Sequence, residues 1–292
     1  MKKKAILATD LSQAADLLIQ CSAFYKELEI EEVILFHALG VEYMNFYGYV
    51  NLDKTQKRLS ELKAILEEKG FKTSIELREG LPYLELEAFT KEMDDAIIIS
   101  GSSGKGFLKG MALGSTVNHL IKYTRQPLLV VRCSEVKGDS NSISPELTCS
   151  TSNQCILFPT DFSENSQHAF QFLLENVAPN AKTIDLLHVQ DQHVMKYRSE
   201  SEIGKFNTID IARLAEMKKK VMAVSKASVR TEVVLGNPTK EILNRIKELN
   251  CSLVVIGKQG RGFIEEFILG SVTRKVLEES GINTLIVPNP QV

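Results

Sequence analysis

The chain lacks the features that most readily announce a function. No apolar run reaches the roughly 20 residues that span a bilayer, so the sequence predicts no transmembrane helix. Met1-Lys2-Lys3-Lys4 resembles the basic start of a secretory signal, but the apolar run after it, Ala5 to Ala8, stops at Thr9-Asp10, too short for a signal core. Neither sign of charge dominates: 35 Lys and Arg stand against 37 Asp and Glu, for a net charge of -2. That argues against a broad nucleic-acid surface, though a local basic patch is compatible with it. There is no Gly-x4-Gly-Lys-Ser/Thr phosphate loop. Spacing supports no Ser-His-Asp or paired-carboxylate arrangement either. The five cysteines, Cys21, Cys133, Cys149, Cys155 and Cys251, are odd in number and share no Cys-x2-Cys spacing. With no signal segment, they predict reduced thiols and a cytoplasmic location.

What is present is a repeat. The 292 residues, 25% charged and 43% hydrophobic, have the length and composition of about two globular domains. Two stretches carry the strongest signal. Gly257 to Thr273 follows the apolar run Leu253-Val254-Val255-Ile256, and Gly101-Ser102-Ser103-Gly104 follows Ala96-Ile97-Ile98-Ile99. Each spaces glycines as Gly-x2-Gly-x9-Gly-Ser, ending at Gly270-Ser271 and Gly114-Ser115. A strand that breaks at glycine and leads to a helix start offers unpaired backbone N–H groups and a partial positive charge to an anion. Ser271 is expected as the N-cap, with the Thr273 hydroxyl in the first turn. A single copy is equally the pattern of an ordinary helix cap; two identically spaced copies favour a ligand.

The rest of the chain repeats around these loops. Predicted strands lie at Lys4 to Asp10, Val33 to Ala38, Thr73 to Leu77, Ala96 to Ser100 and Leu128 to Val131. A stripe through Ala14, Leu17, Leu18, Cys21, Phe24 and Leu28 predicts one helix after the first strand. Strands of the second half are expected at Cys155 to Asp161, Ile184 to Val189, Thr231 to Leu235, Leu253 to Ile256 and Thr284 to Pro288. Asp161 and His188 follow Asp10 and His37 by 151 residues, whereas Gly236-Asn237-Pro238 follows Gly80-Leu81-Pro82 by 156, so the second copy carries an insertion after its second strand. A Ser, Asn, Gly and Pro-rich stretch separates the copies. The organisation is therefore a domain at 1–137, a linker at 138–153 and a domain at 154–292. Strands alternating with helices predict α/β architecture, one doubly wound parallel sheet per half. Ligands of such sheets sit at the carboxyl ends of the strands, where strand order reverses.

A short strand ending in Thr-Asp, an Asp-x-Ser continuation, Gly-x-Pro before the third helix and Gly-x2-Gly-x9-Gly-Ser after strand four resemble the universal stress protein family. Both halves carry the pattern, so the chain resembles a tandem member. The resemblance implies two tandem five-stranded parallel sheets of order 3-2-1-4-5, flanked by helices. It also implies binding of ATP, ADP or AMP, with or without Mg²⁺, and pairing of the halves as an intrachain pseudo-dimer, with a homodimer as an open alternative. Carried over, Thr160, Asp161, Val189, Gly257, Gly260, Gly270, Ser271, Val272 and Thr273 would surround the nucleotide in the second half. Thr9, Asp10, Ala38, Gly101, Gly104, Gly114, Ser115 and Thr116 would do so in the first. Asp161 and Asp10 would face adenine and ribose, since a carboxylate repels phosphate unless a metal intervenes; the alternative is that each only caps the next helix. The first half departs from the pattern where Val117 replaces Thr273, so the second site is predicted to be the tighter.

Other features point less sharply. His37 and His188 have no suitably spaced partners for a metal. Tyr43 to Tyr49 would form a lid or contact surface, or stack on a base. Lys105, Lys109 and Arg261 would add positive charge beside phosphates. The leading expectation is a nucleotide-binding stress or regulatory protein. The alternatives are a slow Mg²⁺-dependent ATP hydrolase, or a structural module whose sites stay empty.

Overall fold

Continuous apolar runs form the strands because helices cover both faces of a parallel sheet. The computed structural model describes residues 3–40, 48–93, 96–102, 113–137, 143–147, 155–260 and 269–289. Two units result, Met1–Ser150 and Thr151–Val292.

In the first unit the order is β1 (Lys3–Ala8), α1 (Gln13–Gln20), α2 (Ser22–Glu27), β2 (Ile30–Leu39), α3 (Gly48–Glu68), β3 (Lys72–Glu79), α4 (Pro82–Lys91), β4 (Ala96–Gly101), α5 (Ser115–Tyr123) and β5 (Leu128–Val131). These strands pair in parallel as β3-β2-β1-β4-β5, the order 3-2-1-4-5. Ile6 lies opposite Ile34 on one side and Ile98 on the other, and Ile6 and Ile98 are fully buried. The single helix expected after β1 is two. At Cys21 the N–H divides between the carbonyls of Leu17 and Leu18, which ends α1, and the buried Tyr25 hydroxyl donates to Leu18 O at 2.7 Å. Cys21 is disulfide-bonded, which corrects the expectation of a reduced thiol there. Cys155 and Cys251 are free. Two further strands, β6 (Cys133–Lys137) and β7 (Ile143–Leu147), pair antiparallel, and β7 lies in the stretch expected to be linker.

The second unit runs β8 (Ile156–Thr160), α6 (Glu164–Asn176), β9 (Thr183–Asp191), α7 (Gln192–Met195), α8 (Glu200–Val224), β10 (Ser228–Gly236), α9 (Pro238–Glu248), β11 (Leu253–Gly257), α10 (Ser271–Glu279) and β12 (Asn283–Val287). Its parallel order, β10-β9-β8-β11-β12, is again 3-2-1-4-5. The insertion is absorbed by α7 and by the 25-residue α8, which opens on a capping box between Ser199 and Glu202. In both units the first and fourth strands are neighbours, so the strand-end Asp and the glycine loop leave the sheet side by side.

Among the described residues, no helix is long and apolar enough to cross a membrane.

Candidate functional site

The two copies build the same turn after the first strand. Thr160 Oγ1 accepts from Phe162 N at 3.0 Å, and Asp161 Oδ1 accepts from Ser163 N at 3.0 Å. Ser163 then caps α6 by accepting from Ser166 N at 3.2 Å. Thr9, Asp10 and Ser12 repeat these contacts at 3.1, 3.0 and 3.2 Å. The turn forces a left-handed backbone on a non-glycine residue, φ 59° at Leu11 and 60° at Phe162. Such strain persists only where the surroundings over-determine it, and here it recurs beside both glycine loops. His37 and His188 brace the turn from the second strand. Each Nδ1 lies 2.7 Å from the preceding strand's carbonyl, Thr9 O or Thr160 O. A carbonyl only accepts, so Nδ1 carries the proton in both.

The glycine loop of the second unit meets that turn. A Cβ built on Gly260 would lie 2.7 Å from Asp161 Oδ2. So the carboxylate is anchored through Oδ1, while Oδ2 faces the loop. A Cβ on Gly257 would sit 3.3 Å from Asn165 O in α6 and from Gln259 O, so the fold itself favours glycine there. At Gly270 it would meet Gln259 Cα and Lys258 O only at 3.5 Å, an ordinary contact. With φ -55° and ψ 140°, Gly270 occupies a conformation open to any residue. Among the described residues, neither sterics nor backbone geometry requires glycine at 270.

Among the described residues, the helix after the loop starts without a side-chain cap, as α2 and α4 also do, whereas five other helices are capped. Ser12, Ser163, Asp191, Ser199 and Asn237 cap their helices with side-chain oxygens. α5 and α10 start at Gly114 and Gly270 with no side-chain cap among the described residues. The expected N-cap, Ser271, is the first helical residue and is exposed. Its hydroxyl therefore lies past the capping position. Among the described residues, no N-cap side chain accepts from the first-turn N–H groups, an arrangement that suits an anion.

Thr273 bonds within the protein. It is buried, and its hydroxyl donates to Gly257 O at 2.9 Å, tying the helix to the loop's first residue. Val117, buried at the matching place, makes no such bond. Both loops share the remaining frame. Lys258 N donates to Val287 O and Gly270 N to Lys258 O, as Ser102 N does to Val131 O and Gly114 N to Ser102 O. Val189 is half-buried on β9, one strand beyond Asp161, and Ala38 is buried on β2. Gly101 ends β4, and Ser115 and Thr116 open α5, exposed and half-buried. Gly104, Lys105, Lys109 and Arg261 lie outside the described residues, as does most of the aromatic stretch from Tyr43.

Sequence reasoning missed a buried polar group behind the second turn. Asp210 on α8 accepts from Gln190 Nε2 at 2.9 Å, and its Oδ2 lies 3.4 Å from His188 Nε2. Arg213 reaches Asp210 Oδ1 at 3.4 Å, and its guanidinium lies 5.2 Å from the Phe162 ring centre. That ring packs on His188 with centroids 4.5 Å apart. The available signal was an Asp on the helical stripe that buries Leu214 and Val221. Among the described residues no three His, Cys, Asp or Glu side chains cluster as a metal site.

A family model described as the universal stress protein family matches residues 1–132 and 153–288. Universal stress protein MJ0577 of Methanocaldococcus jannaschii is 30% identical over 155 residues, covering 45% of this chain and 96% of that protein. Universal stress protein YxiE of Bacillus subtilis is 30% identical over 113 residues, covering 39% of this chain and 72% of that protein. Among solved structures, a universal stress protein from Archaeoglobus fulgidus shares the fold, with a TM-score of 0.69 at 19% identity and 98% of each chain covered. The turn, the loop and the strand order thus occur together in a chain that belongs to the universal stress protein family.

Proposed function

We propose that the protein binds an adenine nucleotide in each unit, more tightly in the second, as a regulatory stress-response component. The observation that carries this reading is the meeting of Asp161 Oδ2 with the Gly260 backbone beside an uncapped helix start. One crevice then offers a carboxylate for hydroxyl or amine donors and backbone N–H groups for phosphates. The two ends of a nucleotide need those two chemistries. Asp161 takes the ribose or adenine end, held in place by Thr160 and Ser163. The Val189 backbone borders adenine. Gly257, Gly260, Gly270, Ser271 and Val272 line the phosphates. Thr273 acts through Gly257, holding the loop in its receptive shape. Thr9, Asp10, Ala38, Gly101, Gly104, Gly114, Ser115 and Thr116 repeat these roles in the first unit, where Val117 leaves the loop without that brace.

Any Mg²⁺ would be carried mainly by the phosphates, because the described residues hold no three-ligand cluster. The roles are those of a binding site, so the protein senses a nucleotide rather than turning it over. Mass spectrometry of the purified full chain should find co-purified AMP, ADP or ATP, and titration with ATP should saturate. Single-turnover incubation with Mg-ATP should leave the nucleotide intact. No bound nucleotide and no saturable titration would refute the proposal, and rapid stoichiometric ADP release would replace it with hydrolysis.

A further inference from the structure

Cys155 and Cys251 stand at the opposite ends of β8 and β11 from the candidate site. Cys155 immediately precedes β8 and Cys251 stands two residues before the neighbouring parallel β11. Both are buried and free, with Sγ atoms 3.2 Å apart. Burial alone is ordinary for cysteine, which packs as a small apolar residue. Three further observations set this pair apart.

The first is that the repeat does not need thiols here. Ile156 pairs with Leu253 as Ala5 pairs with Ile97, which puts Lys4 and Asp95 at the matching positions of the first unit. The second is that the backbone on both sides is fixed. Cys155 O accepts from Ser252 N at 2.9 Å and from Ser252 Oγ at 3.3 Å, and Cys251 N donates to Ile246 O at 2.9 Å. Bonding needs the sulfurs to close from 3.2 Å to about 2.05 Å, a movement that side-chain rotation can supply. The third is that the two thiols are unequal. The hydrogen bond with Cys251, helped by Arg230 and Arg245, holds Cys155 below the ordinary thiol range against burial and Asp185. Cys251 is pushed up, first by that same hydrogen bond and then by burial. Cys155 is therefore the better thiolate of the two.

We propose that Cys155 and Cys251 form a reversible dithiol–disulfide site that takes hydrogen peroxide as its oxidant. Both thiols are buried, which disfavours a bulky disulfide reagent and makes a small hydroperoxide the fitting class of oxidant. The Cys155 thiolate attacks one peroxide oxygen. The O–O bond breaks, Cys155 becomes a sulfenic acid, and the departing hydroxide takes up the thiol's released proton as water. The Cys251 sulfur then attacks the Cys155 sulfur. The S–S bond forms, the S–O bond breaks, and the hydroxide leaves with the Cys251 proton as a second water. Two thiols and one peroxide give one disulfide and two waters, the sulfurs losing the two electrons that the peroxide gains. The bond closes a long loop between the starts of β8 and β11, so the second unit resists unfolding more when oxidised.

The test treats the folded full-length chain with hydrogen peroxide, blocks remaining thiols with N-ethylmaleimide and maps peptides without reduction. A Cys155–Cys251 linked peptide, released by dithiothreitol, is expected, with a reversible upward shift of the second unit's urea midpoint. Cys251→Ser should accumulate a dimedone-trapped sulfenic acid at Cys155, whereas Cys155→Ser should give none at Cys251. Circular dichroism establishes that both variants fold, and Cys155→Ala and Cys251→Ala replace either one that does not. Separate sulfinic acids on the two thiols, thiols that survive peroxide unlinked, or linkage only in denaturant would overturn the proposal. None of these readouts depends on nucleotide.

Discussion

Gly270 is the position where the proposed ligand and the fold would make separable demands. A Cβ there would meet Gln259 Cα and Lys258 O at 3.5 Å and Gly260 N at 3.6 Å, with φ -55° and ψ 140°. Gly270→Ala therefore introduces no clash. At an N-cap, alanine is about 1 kcal/mol less favourable than glycine. Restricting the unfolded chain returns about 0.4–1 kcal/mol. The two nearly cancel, so the second unit's stability should change by less than about 1 kcal/mol. Binding should respond differently if the proposed site is right, because the methyl group would then occupy the approach of a phosphate to the first turn of α10. Forcing a methyl into a well-packed contact costs about 1–3 kcal/mol, which weakens affinity roughly 5- to 150-fold. Urea titration followed by calorimetric titration with ATP measures both quantities on one sample. Unchanged affinity in a normally stable variant would refute the assignment of Gly270 to the ligand. A loss of several kcal/mol in stability would refute the claim that the fold tolerates a side chain here.

Thr273→Val removes the hydrogen bond to Gly257 O and imitates Val117. It should cost about 1 kcal/mol of second-unit stability and bring the two ATP affinities together, as read by urea midpoint and titration. Asp210→Ala leaves Gln190 and Arg213 without a buried acceptor and should destabilise the second unit by about 1–3 kcal/mol, seen as a lower urea midpoint. Glu87 supplies a pH test in the first unit. Burial raises its carboxyl, but hydrogen bonds from Lys91 and His119, each 2.7 Å, outweigh burial and lower it overall. A lowered folded value contributes stability above the ordinary carboxylate range and loses it as pH falls through that value. Glu87→Gln should therefore lower first-unit stability near neutral pH and flatten its acid limb; an unaltered acid limb would remove Glu87 as its cause.

The strands were legible because a parallel sheet covered on both faces needs runs such as Ala96 to Ile99 and Leu253 to Ile256, and their spacing repeats; their order followed from the family resemblance. Strand ends were less so. β2 begins at Ile30 rather than Val33 because Glu32 reaches Lys72 at 2.8 Å and Lys4 at 3.9 Å, cross-strand pairs that local hydrophobicity cannot register. The break between α1 and α2 was hidden because the apolar stripe continues through Cys21 while the backbone hydrogen bonds change partners there. β7 was hidden by its surroundings of Ser, Asn and Pro, which read as linker.

At the site, residue types and spacing put Asp161 beside the glycine loop, but not the work of each atom. Asp161 both braces its turn through Oδ1 and faces Gly260 through Oδ2, so capping and ligand contact were never exclusive alternatives. Ser271 stands one place past the cap it was expected to form, and Thr273 spends its hydroxyl on Gly257 O. Neither detail has a sequence signature, because each depends on where the loop meets the helix. Asp210, by contrast, could have been found as the charged member of an otherwise apolar stripe.

The central claim is tested most directly by calorimetric titration of the full chain with ATP, beside its Gly270→Val and Gly114→Val variants. Two binding events are expected in the unmodified chain, with Gly270→Val abolishing the tighter and Gly114→Val the weaker. Absence of binding, or equal losses from the two variants, would contradict it.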